Sequence, residues 1–189
     1  MKRVESSIRI VWDIHDSWTE TLAGTLYILK QFKDDKNIGD NAHLCRLVLI
    51  SSNHLIEKLF FDLAEEAINS NNDTHNNIRK ELNRSYLFEA MHSWPQVLTK
   101  SRSAYNFNIE PLKSADELRK QRNRSIHRQS EFVSLEMAKK SLYTAIDTCL
   151  YIWNSFHPDK EFKYQGFLKK YPVESVGHYS TAENVNLRT

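Results

Sequence analysis

Apolar residues recur every three to four positions over long stretches of this chain, and this spacing constrains the fold more than any other feature. The clearest stretch covers residues 42–69, where one stripe of aliphatic side chains continues for many turns. Only 4 glycines and 4 prolines occur among the 189 residues, so few positions interrupt a helix. No segment alternates apolar and polar residues in the manner of a strand. The sequence therefore predicts an all-α fold.

The helical period also predicts how the chain is organised. The predicted helices cover residues 5–32, 42–69, 77–101, 114–128 and 134–156. Asp40 or Asn41 is a candidate cap of the second helix, and Pro95 is expected to kink or split the third. Ser114 with Glu117 matches a capping box at the start of the fourth. These segments predict an antiparallel bundle of four or five helices over residues 1–157, followed by an irregular C-terminal tail at 158–189.

Charge, cysteine content and hydropathy narrow the classes of function. The net charge is only +2, so affinity for nucleic acid requires a local basic patch. Cys45 and Cys149 lack metal-ligand spacing; reduced core thiols are expected, and the sequence leaves a disulfide open. No apolar run approaches the roughly 18 residues of a membrane span, and the N-terminus lacks a signal-peptide core. The chain is therefore expected in the cytoplasm without a membrane partner.

The stretch ELRKQRNRSIHR, residues 117–128, carries an arginine on an apolar helix face. Leu118, Arg122 and Ile126 are four residues apart, so Arg122 interrupts an apolar stripe. A buried guanidinium requires a carboxylate partner or a wet cleft, and Glu57 of the second helix is one candidate partner. Asn123 and His127 form a further pair four residues apart. These polar groups are predicted to border a groove.

Arginine followed by histidine at this spacing is not specific by itself. Arg9 and His15 in RIVWDIH have a similar spacing within the same chain. The later pair differs because Asn123 follows the arginine directly and the surrounding helix is basic. This context, not the spacing, makes residues 122–127 the candidate site.

The stretch LRKQRNRSIHR resembles the signature of HEPN domains, small all-helical units with an arginine, a polar residue that is often asparagine, and then a histidine. The second predicted helix, with Glu57 in SSNHLIEKLFFDLAEEAI, is also similar to the family's helix before the motif. The resemblance covers residues 5–157 and implies a HEPN-like bundle, a homodimer and metal-independent RNA cleavage. HEPN toxins regulated by a nucleotidyltransferase often carry a tyrosine where this chain has Gln129, so tyrosine modification is not supported.

The residue types suit the chemistry that this resemblance implies. His127 can move a proton near neutral pH, and Arg122 offers a planar fork of donors to phosphate oxygens. Asn123 can orient the histidine or donate to phosphate. Attack by the 2′-hydroxyl on the adjacent phosphorus needs no metal and no cofactor. A second subunit would supply the second histidine, and the RNA backbone is expected to contact Arg119, Lys120, Arg124 and Arg128.

Three functions remain open from the sequence. The first is a HEPN endoribonuclease acting as a toxin or an anti-phage defence component, with an antitoxin or regulatory protein as a possible partner. The second is a non-catalytic HEPN-like module that binds RNA or a nucleotide, or dimerises. The third is a helical interaction protein in which the motif is a coincidence. Asn53 and His54 lie near the apolar stripe of the second helix. Both are candidates to line the same groove, but a hydrogen-bonded core histidine is the favoured interpretation of His54.

Overall fold

Five α-helices make up most of the part of the chain that the structure describes. The computed structural model describes residues 16–32, 38–69, 91, 105–127 and 132–181. The helices are α1 (Ser17–Gln31), α2 (Ile38–Asn69), α3 (Leu112–His127), α4 (Leu135–Phe156) and α5 (Gln165–Lys170). No strand occurs in these ranges, and the prediction of an all-α fold is confirmed. The third predicted helix, residues 77–101, lies outside the described residues except for Met91, which is helical and buried.

The two most periodic helices lie where the sequence predicts them. α2 ends at Asn69 as expected, and α4 ends at Phe156 as expected. The Ser134 hydroxyl caps the start of α4 by accepting from the amide of Met137 at 3.1 Å. Long apolar stripes fix these helices because each turn adds buried surface to the same face.

The predicted start of α1 is wrong, because the helix does not run unbroken from residue 5. Asp16 is its N-cap, in an extended conformation, and its carboxylate accepts from the amide of Trp18 at 2.9 Å and from that of Thr19 at 3.3 Å. An acidic N-cap begins a helix by pairing the amides that have no partner in the first turn. The first part of the predicted segment, residues 5–15, lies outside the described residues.

Two other predicted caps are also wrong. α2 begins at Ile38, so Asp40 and Asn41 lie inside the helix. α3 begins at Leu112, and the backbone bonds that enter it start earlier, with the amide of Lys113 donating to the carbonyl of Ile109 at 2.9 Å. Ser114 is therefore inside α3, and its amide donates to the Glu110 carboxylate at 3.2 Å. The turn before the helix therefore supplies the cap that the capping-box pattern of Ser114 and Glu117 had assigned to Ser114.

α2 and α4 form the most extensive helix contact, and they run in the same direction. The contacts advance together along both helices. Ser52 meets Ser141 at 3.3 Å, and the Cys149 thiol lies 3.6 Å from the carbonyl of Leu55. Further along, the rings of Phe60 and Phe156 lie 6.2 Å apart in an edge-to-face arrangement. The prediction that neighbouring helices are antiparallel is therefore wrong for α2 and α4.

α1 runs opposite to α4, because its later residues Leu26 and Leu29 lie beside Leu142 near the start of α4. Trp18 at the start of α1 and Trp153 near the end of α4 both pack against Phe162, at ring distances of 5.6 and 5.7 Å. Tyr105, just before α3, contacts Tyr151 and Ser155 near the end of α4. The helices form one bundle around a shared core of aliphatic and aromatic side chains.

The segment after α4, predicted as an irregular tail, packs onto the bundle over residues 158–181 and contains α5. The ring of Tyr164 stacks on Trp18 with 4.2 Å between centroids, and its hydroxyl donates to the Asp16 carboxylate at 2.8 Å. Further along, the amide of Tyr179 donates to the Thr144 hydroxyl at 2.7 Å, and the Tyr179 side chain is buried. Aromatic burial holds this segment without a helical period. The rest of the predicted tail, residues 182–189, lies outside the described residues.

None of the helices in the described ranges is long and apolar enough to cross a membrane.

Candidate functional site

α3 carries the candidate motif, and its buried side is more polar than the sequence predicts. Leu118 is fully buried, but Ile126 is 46% exposed, so the expected stripe through residues 118, 122 and 126 is wrong at its end. The buried row combines Leu118 with Gln121 and Ser125, which follow it at helical intervals. Arg122 lies at the edge of this row and is partly buried. The arginine therefore borders the packing face, next to buried polar side chains.

Arg122 and Asn123 contact each other directly. One terminal nitrogen of Arg122, Nη1, donates to Asn123 Oδ1 at 3.0 Å. The Nε of Arg122 is buried and has no hydrogen-bond partner. A buried N–H without an acceptor is rare in folded proteins and calls for an explanation. The guanidinium is thus oriented by its neighbour while part of its donor capacity remains unused.

Glu57 does not fill the role of internal partner for Arg122. Within the described part of the chain the two residues form no ion pair, and Glu57 Oε2 instead lies 3.9 Å from Nδ1 of His54. The side chain of His54 is 54% exposed, so the expected core histidine is a wrong prediction. Both residues lie on the outer part of α2. The sequence could not place them because their position depends on which side of α2 receives α3.

Two of the four predicted RNA-contacting cations share one carboxylate. Arg119 donates to Asp116 Oδ1 from Nε at 3.1 Å and from Nη2 at 2.9 Å. Lys120 Nζ lies 2.6 Å from Asp116 Oδ2. Arg124 is exposed on the same helix, whereas Arg128 lies outside the described residues. Asp116 therefore orients part of the basic surface, a role for which the sequence alone gives no specific signal.

Asn53 of α2 faces α3 across a small cavity. The cavity has a volume of about 10 Å³, and Asn53, Ala115 and Asp116 are among the residues that line it. Asn53 is 1% exposed, and neither its Oδ1 nor its Nδ2 has a hydrogen-bond partner. The structure thus brings Asn53 to the helix that carries the motif, beside Ala115 and Asp116.

His127 is the last residue of α3, four positions after Asn123. Its side chain lies outside the described part of the structure, so the fold places only its backbone. The competing pair, Arg9 and His15, also lies outside the described residues. The helix therefore brings Arg122, Asn123 and the backbone of His127 together within its last turns.

Other catalytic chemistries have weaker candidates in the described residues. Cys45 and Cys149 are free, buried thiols. Burial raises the pKa of Cys45 to about 11 and that of Cys149 to about 12. Both thiols are therefore protonated near neutral pH, when a nucleophile needs the thiolate. Within the same ranges, no three His, Cys, Asp or Glu side chains converge to hold a metal ion.

Comparison with known proteins adds no family to this description. No family model, no curated protein and no solved structure matches the chain.

Proposed function

We propose that this protein is a HEPN-like endoribonuclease that cleaves RNA without a metal ion. One observation carries the proposal: Arg122 is partly buried, is oriented by Asn123, and has an unpaired Nε. Within the described residues no carboxylate pairs with its guanidinium. A guanidinium in that state favours an external anion, and phosphate, like carboxylate, matches its fork of donors with two parallel hydrogen bonds. Arg122 is therefore proposed as the residue that binds the reacting phosphate.

The reaction follows from the residue types. His127 takes the proton from a 2′-hydroxyl, and the resulting oxygen attacks the adjacent phosphorus. The bond from phosphorus to the 5′-oxygen breaks, and that oxygen receives a proton from a general acid. Arg122 stabilises the negative charge that develops on the phosphate oxygens. The products are a 2′,3′-cyclic phosphate and a 5′-hydroxyl, so DNA is not a substrate.

A homodimer completes the proposed site. One histidine cannot easily act as base and acid in a single turnover, and a two-fold axis would bring the same residue from a second copy. Four cations would line the RNA path. Two of them, Arg119 and Lys120, are paired with Asp116, and the others are Arg128 and the exposed Arg124. In this proposal the enzyme serves as a toxin or an anti-phage defence component, and an antitoxin or regulatory protein restrains it.

The test is cleavage of labelled RNA by the purified protein in excess EDTA. We expect wild type to cleave RNA and leave DNA intact, and the Arg122→Ala and His127→Ala variants to lose at least about 100-fold in rate. Arg9→Ala is the matched control, because Arg9 has a similar spacing to His15, and it should retain wild-type activity. Products should carry cyclic phosphate ends.

Two outcomes would contradict the proposal in different ways. RNA that is bound in a manner that depends on Arg122, but is never cleaved, would identify the protein as a non-catalytic HEPN-like module. Neither binding nor cleavage of RNA would remove the proposal altogether.

A further inference from the structure

A groove runs along α1, between this helix and the chain of α5 and the residues that follow it. Its main cavity has a volume of about 590 Å³, within the range of about 300–1,000 Å³ that is usual for small-molecule sites. A second cavity, of about 250 Å³, adjoins the first, because Leu26 and Lys30 line both. The lining residues of α1, from Thr19 to Lys30, extend over about 16 Å of the helix axis. The two cavities together are called the α1 groove below.

The two sides of the α1 groove run in the same direction. At the start of α1, the Tyr164 hydroxyl donates to the Asp16 carboxylate at 2.8 Å. Towards the end of α1, Lys30 lines the second cavity together with Val173. The chain between Tyr164 and Val173 therefore advances along α1 from its first turn to its last. Lys170, which lines the main cavity, consequently lies towards the same end of the groove as Lys30.

The wall of the α1 groove is mainly aromatic and aliphatic. Tyr27 is 66% exposed and Tyr171 is 36% exposed, and both line the main cavity with Phe167, Ala23 and Leu26. An apolar ligand that covers these side chains removes their surface from water, which favours binding.

The charges of the α1 groove differ between its two ends. Within the part of the chain that the structure describes, neither Lys30 nor Lys170 forms an ion pair, and Lys170 Nζ lies 5.2 Å from the centre of the Tyr171 ring. Glu20, in the first turn of α1, lines the opposite end. A negative group is therefore favoured at the lysine end and disfavoured at the other end.

We propose that the α1 groove binds a fatty-acid-like carboxylate, that is, an unbranched apolar chain with a single anionic head. The head lies beside Lys30 and Lys170, and the chain covers Leu26 and Phe167 in the direction of the start of α1. An acidic helix of a partner protein fits less well, because it brings further negative charges towards Glu20. The site goes beyond the proposed function and does not depend on it, since none of the lining residues belongs to α3.

The first experiment is calorimetric titration of the purified protein with dodecanoate, at concentrations below those at which it forms micelles. We expect one saturable site per chain. Each methylene removed from the ligand should weaken binding by up to about 4-fold, as decanoate and octanoate would show. Dodecyltrimethylammonium, which has the same chain and a cationic head, should bind about 10-fold more weakly than dodecanoate. Binding without saturation, or equal affinity for the two head groups, would overturn the inference.

Substitution of the two lysines tests where the head lies. Lys30→Met and Lys170→Met should each weaken the binding of dodecanoate by about 2- to 5-fold, the size expected for one exposed ionic contact. Lys169→Met is the matched control, because Lys169 neighbours Lys170 but pairs with Glu161 at 3.0 Å and does not line the groove. It should keep the affinity of wild type. Equal losses in Lys169→Met and Lys170→Met would show that only the overall charge matters, and would contradict the proposed site.

Two further measurements test where the chain lies. Ala23 is exposed on α1, so Ala23→Trp should fill the groove and weaken binding at least about 10-fold while the unfolding midpoint stays at that of wild type. In wild type, nuclear Overhauser effects should connect the methylenes of dodecanoate with the rings of Tyr27 and Phe167. Contacts to other parts of the protein alone would overturn the inference, as would binding of an acidic helical peptide with no binding of dodecanoate. RNA cleavage by wild type, measured without dodecanoate, tests the proposed function separately.

Discussion

α3 and α4 both pack against α2, but they bury different kinds of surface. The buried face of α4 is mostly aliphatic and aromatic, and two of its three buried hydroxyls, those of Ser141 and Thr144, are hydrogen bonded, whereas that of Thr148 is not. On α3, by contrast, the Ser125 hydroxyl and the Nε of Arg122 are buried without a partner. Facing α3 from α2 is Asn53, which is also unpaired.

This difference separates the source of stability from the candidate source of function. A mainly apolar contact in which most buried polar groups are paired, such as that of α2 with α4, stabilises a fold. Unpaired buried polar atoms lower stability, and proteins tolerate them where a ligand or a reaction uses them. We therefore assign the stability of the bundle mainly to α4 and its proposed chemistry to α3.

The largest expected effect on stability lies in α4. Leu142 is 1% exposed, and Leu142→Ala should lower the free energy of unfolding by about 2–5 kcal/mol, since it deletes buried methyl groups and leaves a cavity. Urea unfolding measures the loss. Ile126→Ala on α3, where the side chain is 46% exposed, is the control and should cost less than about 1 kcal/mol. Equal losses in both variants would contradict the assignment.

The next effect is a dependence of stability on alkaline pH. Burial raises the pKa of Cys149 from the ordinary value of 9.0 to about 12. The contribution of the protonated Cys149 thiol to the free energy of unfolding is therefore complete below pH 9. It is lost as the pH rises towards 12, because the unfolded chain releases the proton at a lower pH than the folded protein does. The slope is about 1.4 kcal/mol per pH unit for one such thiol.

Cys149→Ala tests this contribution directly. The free energy of unfolding of the variant should fall less steeply than that of wild type between pH 9 and 12, because burial raises the pKa of the Cys149 thiol over that range. The residual slope would come from Cys45, Tyr105 and Tyr164, whose pKa values burial also raises. Identical slopes in the two proteins would show that Cys149 is not protected from solvent in this way.

The smallest effects should have opposite signs in the two helices. Ser141→Ala in α4 removes a hydroxyl that donates to the carbonyl of Ala138 at 2.7 Å, so stability should fall by about 0.5–1.5 kcal/mol. Ser125→Ala in α3 removes an unpaired hydroxyl and should leave stability unchanged or raise it by about 1 kcal/mol. Thermal unfolding of the pair decides the matter, and two changes of the same sign would break the comparison.

The sequence predicts the long helices well because their apolar period repeats over many turns. It fails where a distant contact decides the local structure. Asp16 begins α1 inside an apolar period, and its carboxylate is also held by Tyr164, far away in the chain. The parallel order of α2 and α4 likewise depends on the path of the chain between them. Phe162 and Tyr179 have no periodic signal, yet both are buried.

In the candidate site, too, the sequence indicates the local contacts but not the contacts between distant parts of the chain. The contact between Arg122 and Asn123 follows from adjacency on one helix, which a sequence can indicate. The cavity at Asn53 requires residues of α2 and α3 to face each other across a long sequence separation, and no local pattern encodes that register. Glu57 is the opposite case. The sequence offers it as a partner of Arg122, but in the structure its carboxylate lies beside His54 instead.

The most direct test of the central claim is a side-by-side measurement on Arg122→Met, a change that keeps an unbranched apolar side chain and removes the guanidinium and its charge. Unfolding free energy and metal-independent RNA cleavage are measured on the same preparation. The account predicts unchanged or higher stability, because a buried unpaired donor is removed, with cleavage reduced at least about 100-fold. A loss of several kcal/mol in stability, with RNA cleavage retained per folded molecule, would show that Arg122 is structural and would contradict the account.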